Sequence, residues 1–112
     1  MLTISILLFL IAALGGVILA VRIFRGDRPS GAVAFLHGTF AATALLLAVW
    51  VAVKPGAAPW LKYGTAALLL AAMGGFFLLS FHLRAKPHPK LVVVLHALLA
   101  VGGVGLLAGS LF

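Results

Sequence analysis

Residues 2–21 read LTISILLFLIAALGGVILAV, a run without a single charged side chain. Bilayer hydrocarbon is about 30 Å thick and an α-helix rises about 1.5 Å per residue, so about 20 apolar residues make one crossing. The run has no basic n-region and no small-x-small site before a polar mature start, so it reads as a spanning helix rather than a cleaved signal. Three similar runs follow: Gly31 to Val53, about Tyr63 to Leu83, and Leu91 to Phe112. They are separated by Arg25-Gly26-Asp27-Arg28-Pro29-Ser30, Lys54-Pro55-Gly56-Ala57-Ala58-Pro59 and Arg84-Ala85-Lys86-Pro87-His88-Pro89-Lys90, each punctuated by proline or glycine. Strict two-residue alternation is absent, which argues against a β-barrel. The expectation is an all-α bundle of four transmembrane helices forming one integral membrane domain over residues 1–112.

Composition agrees with that reading. The chain is 65% hydrophobic and 8% charged, whereas soluble domains are about 25% charged. The mean hydropathy is +1.34. Eight Lys and Arg stand against one acid, Asp27. The basic residues lie in short stretches between apolar runs rather than along one face, which excludes nucleic acid as the partner. The absence of cysteine excludes disulfides, thiolate metal sites and iron–sulfur clusters.

The first and third loops carry Arg22, Arg25, Arg28, Arg84, Lys86 and Lys90; the middle loop carries Lys54 and Lys62. The positive-inside rule then puts loops 22–30 and 84–90 in the cytoplasm and both termini on the periplasmic side, with a bacterial inner membrane as the expected location. The loops are too short to fold as domains, so function is expected in the bundle or in a partner. Trp50, Trp60 and Tyr63 flank the middle loop as an interfacial aromatic belt.

Displacing the chain by 59 residues aligns its halves without a gap: Gly15-Gly16 on Gly74-Gly75, Ala12-Ala13 on Ala71-Ala72, Arg25 on Arg84, Val33 on Val92, Leu36-His37 on Leu95-His96 and Ala41 on Ala100. With four leucine pairs (Leu2/Leu61, Leu10/Leu69, Leu19/Leu78, Leu47/Leu106) this makes 13 identities in 53 positions. Leucine and alanine matches are cheap in a membrane chain; the Gly-Gly, Arg and His matches at one shared offset are not. The chain therefore reads as two tandem helical hairpins, residues 1–53 and 60–112, related by a pseudo-two-fold axis along the membrane normal.

His37 and His96 are the only ionisable residues well inside any span. Such residues usually face the bundle interior and are functional. Under the two-fold they lie at equal depth, about 10 Å in from the basic loops. No intramembrane Asp or Glu is present for a carboxylate relay or a hydrolytic triad. Zinc needs three or four ligands. Two symmetric imidazoles suit a metal that brings its own equatorial ligands, as haem iron does. Small residues follow each histidine on the same helix face: Ala41, Ala44 and Ala48 after His37, Ala100 and Gly103 (then Leu107) after His96. They are expected to leave a flat slot. Gly16 and Gly75 are expected to bring the other two helices close to a ring edge, and Arg25 and Arg84 to meet propionates near the surface.

On the segments Leu36-His37-Gly38-Thr39-Phe40-Ala41 and Leu95-His96-Ala97-Leu98-Leu99-Ala100-Val101-Gly102-Gly103, the chain resembles membrane b-type cytochromes, four-helix bundles in which helix-borne histidine pairs hold protohaem. The resemblance implies one haem b between the second and fourth helices, with His37 and His96 as axial ligands. It also implies electron transfer with quinone or a neighbouring redox subunit. Larger members hold two haems. Here His82 and His88 fall opposite Ile23 and Pro29, so one haem is expected. Partners would be the bilayer, other membrane redox subunits or a second copy; catalysis by the chain alone is not expected. Two other readings stay open: a haem-free structural or assembly subunit whose histidines tie the hairpins together, and binding of another ligand such as quinone. A small transporter is weaker, since no broken helix or polar pathway is visible.

Overall fold

The computed structural model describes residues 1–112 and has four helices: α1 Leu2–Phe24, α2 Gly31–Ala52, α3 Pro59–Leu83 and α4 Lys90–Gly109. All four are long and apolar enough to cross a membrane, and there is no strand. The bundle measures 45 × 22 × 20 Å. The four-span all-α expectation holds, with shifts at the helix ends. Helix α1 continues past Arg22 to Phe24, because the arginine can turn its side chain to the surface, where its Nε donates to the Arg28 carbonyl at 3.0 Å. Helix α3 starts four residues early, with Pro59 in the first turn, where a missing N–H costs nothing. Helix α4 begins at Lys90 and ends at Gly109, short of the expected Phe112.

Consecutive helices pack side by side, and α4 returns to α1. No Cα of α2 comes within 8 Å of one in α4, so these two face each other across the bundle diagonal. The helices are apolar on nearly all faces, and large side chains such as Leu14 (70% exposed) and Phe76 (72% exposed) point outward. For a bundle in lipid that is the expected surface.

Within each hairpin, contacts recur at positions 59 apart. Helix α1 closes with Gly26 N–H donating to the Ile23 carbonyl and Asp27 N–H to the Arg22 carbonyl; α3 closes with Ala85 to His82 and Lys86 to Phe81. Both turns place a left-handed residue at the same step, Gly26 (φ 79°) and Ala85 (φ 53°). Deeper in, the Ser5 hydroxyl donates to the Ala44 carbonyl at 2.7 Å. The corresponding residues of the second hairpin are both glycine, and a Cβ on Gly64 would lie 2.8 Å from the Gly103 carbonyl oxygen. One hairpin joins its helices there by a hydrogen bond, the other by bare backbone contact, as small residues do in membranes.

The tight core sits toward the middle loop: Phe9, Ala44, Ala48, Leu61, Leu68 and Leu107 form one buried cluster. Toward the basic loops the only buried residues are Pro29 and Val93, with Ala12 and Ala71 at the boundary. The half with fewer buried residues is the half that contains the two histidines.

Candidate functional site

His37 on α2 and His96 on α4 are both half-buried and turned inward, and their ring centroids lie 6.3 Å apart with planes at 77°. Each is the seventh residue of its helix, counted from Gly31 in α2 and from Lys90 in α4, so both rings come about one and a half to two turns from the basic loops. Each ring is fixed from its own hairpin. His37 Nδ1 lies 2.7 Å from the Ala12 carbonyl and His96 Nδ1 lies 2.7 Å from the Ala71 carbonyl. A carbonyl oxygen only accepts, so Nδ1–H is the donor in both bonds. In the neutral imidazole this leaves the lone pair on Nε2. Main-chain carbonyls set tautomer and ring orientation in the same way for metal-bound histidines.

The glycine pairs are the seats of these rings. A Cβ on Gly16 would lie 3.0 Å from His37 Cε1, and one on Gly75 would lie 3.1 Å from His96 Cε1. Gly15 and Gly74 face the Cβ atoms of the same histidines at 3.3 and 3.7 Å. Gly16 and Gly75, expected beside a ring edge, are in contact with the imidazoles themselves.

Ala41 and Ala100, one turn beyond the histidines, are half-buried and keep the inward face small. Ala44 and Gly103 do something else. Ala44 receives the Ser5 hydroxyl, and a Cβ on Gly103 would lie 2.6 Å from Leu68 Cγ. These two serve close packing inside each hairpin, and the inward stripe of small residues is no continuous slot: Leu107 is fully buried in the core cluster.

Arg25 and Arg84 are exposed at the ends of α1 and α3. Arg84 donates to the Ser80 carbonyl at 3.1 Å and its guanidinium lies 4.7 Å from the centre of the Phe81 ring, so it is held by its own helix. His82 and His88 form a second pair of rings, 6.1 Å apart, at the basic end. They line a cleft of about 240 Å³ between the first and third loops, a feature the linear sequence does not announce because its walls come from opposite hairpins.

No third His, Cys, Asp or Glu joins either pair to complete a protein-only metal site. Bonds from a metal to imidazole nitrogen are about 2.0–2.1 Å. An ion ligated on both sides by Nε2 thus sets ring centres roughly 6 Å apart, which is the spacing of His37 and His96. No protein family, curated protein or solved structure matches the chain.

Proposed function

We propose that the protein is a small membrane haem b protein in which His37 and His96 would hold the iron of one haem between α2 and α4. What carries the reading is the pair itself: two inward imidazoles at one depth, 6.3 Å apart, each oriented through Nδ1 by a main-chain carbonyl. A bound haem would supply one-electron exchange. The chain's own part is orientation and exclusion of water. Ala12 and Ala71 hold the rings, Gly16 and Gly75 let their Cε1 edges come close to α1 and α3, and Ala41 and Ala100 keep bulk away. The reading includes two copies of one hairpin about a two-fold axis, the basic end facing the cytoplasm of a bacterial inner membrane, and electron exchange with quinone or a partner redox subunit. Gly16 and Gly75 act in it as positioning residues, not as contacts to the cofactor.

The hydrogen bonds also favour a second reading, in which the histidines are helix-packing residues of a haem-free subunit. They would then tie α1 to α2 and α3 to α4, within the hairpins and not between them. The two readings separate in a reduced-minus-oxidised absorption spectrum of the protein purified in mild detergent from haem-replete cells. The haem reading requires sharp α and Soret bands; a colourless protein leaves the packing reading.

A further inference from the structure

We propose that the cleft between the two basic loops binds one phosphate-type anion, held by His82, His88, Arg28 and Lys86. The lining brings His82 from the end of α3, His88 and Lys86 from the third loop, and Arg28 from the first loop to a single concavity. A Cβ on Gly31, the first residue of α2, would lie 3.7 Å from His82 Nε2, so the start of α2 lies beside that ring. At about 240 Å³ the cleft is below the roughly 300–1,000 Å³ that houses a drug-sized ligand. It suits a compact polar group. Residues that carry imidazole, guanidinium and ammonium donors line it from different elements, a set that matches an anion with several acceptor oxygens. The cleft also lies level with the ends of the apolar spans, where lipid headgroups sit.

The charged groups around it do not cancel. Asp27 is the one acid in the lining and opposes the anion; Arg28 and Lys86 outnumber it. Arg84 stands over Phe81, whose ring centre is 6.5 Å from that of His88, and Lys90 stands over Phe24 at 5.8 Å. A metal ion would meet this excess of positive charge, and His82, His88 and Asp27 do not come together as a metal-binding group.

The site also breaks the repeat. At the corresponding positions of the other hairpin, His82 faces Ile23, His88 faces Pro29, Lys86 faces Asp27 and Arg28 faces Pro87. None of the four donors has a counterpart, so the cleft is built once, for one ligand. Burial first, and then the positive charge of His82, hold the His88 imidazole below the usual histidine value. An anion beside the two rings opposes the second effect and favours the charged imidazole. Binding therefore raises the His88 value and grows stronger as pH falls through the histidine range.

The proposal does not rest on the haem reading, because its readout is a ring outside that pair. The His88 imidazole is titrated by NMR in maltoside micelles at constant ionic strength, with chloride alone, with inorganic phosphate, and with added phosphatidylglycerol. An upward movement of about 1 pH unit is expected with at least one phosphate source. Movement with the soluble anion identifies free phosphate as a ligand; movement with the lipid alone identifies a headgroup. Arg28→Gln should abolish the movement and Arg25→Gln, an equal loss of charge outside the cleft, should preserve it. No movement with either source, or equal movement in both variants, overturns the proposal.

Discussion

His37 Cε1 stands where a Cβ on Gly16 would come within 3.0 Å of it, and the ring that carries it donates to the Ala12 carbonyl one turn away on the same helix. Helix α1 thus provides both room for the ring edge and a hydrogen-bond acceptor for a side chain borne by α2. Helix α3 does the same for His96 through Gly75 and Ala71. In the proposed haem site these contacts take the place of the second ligand shell common around metal-bound histidine.

Gly16→Ala and Gly75→Ala should therefore disturb the imidazoles more than the fold. The added methyl meets the edge of a ring, and the ring must tilt and stretch its bond to the carbonyl. The expected result is a loss of haem affinity of about 10–100-fold, the usual cost of disturbing such an outer contact, with far-UV circular dichroism unchanged. Gly38→Ala, with open space around its Cβ position, is the matched control.

The two helix-closing turns make an opposed pair. Ala85 has φ 53° where its counterpart Gly26 has φ 79°. Left-handed backbone costs a residue with a Cβ about 1–2 kcal/mol. Ala85→Gly should relieve part of that and raise the unfolding midpoint in denaturing detergent; Gly26→Ala should lower it by a similar amount, having nothing within 4 Å to clash with.

The Ser5–Ala44 bond and the Gly64–Gly103 contact should respond differently to the same type of change. Ser5→Ala removes one hydrogen bond, worth about 0.6 kcal/mol by membrane precedent. Gly64→Ala puts a carbon 2.8 Å from a carbonyl oxygen that belongs to backbone and cannot turn away. It should force α3 and α4 apart and cost more, about 1–3 kcal/mol. Thermal unfolding of both variants in one detergent compares them directly.

The spans, the loops and the basic end were legible in the chain because each depends on local counts of apolar, basic and turn residues. The neighbours of each side chain were not. Helices that are apolar on nearly every face carry no amphipathic stripe to say which side meets which partner. The contact of Gly16 with His37 is thus invisible in the sequence, as is the part that Ala44 and Gly103, expected beside a slot, take in closing the hairpins. The hydrogen bonds to Ala12 and Ala71 involve backbone atoms, which leave no mark in residue type. The cleft around His82 and His88 draws on loops more than 50 residues apart and exists only once the hairpins are side by side.

The most direct test of the central claim is titration of the detergent-solubilised protein with haem, followed by absorption, for wild type and for His37→Ala and His96→Ala. The account predicts saturation of wild type at one haem per chain with a low-spin bis-histidine spectrum, and loss of that spectrum when either histidine is removed. Wild type that fails to shift the haem spectrum, or single variants that bind as it does, would contradict it.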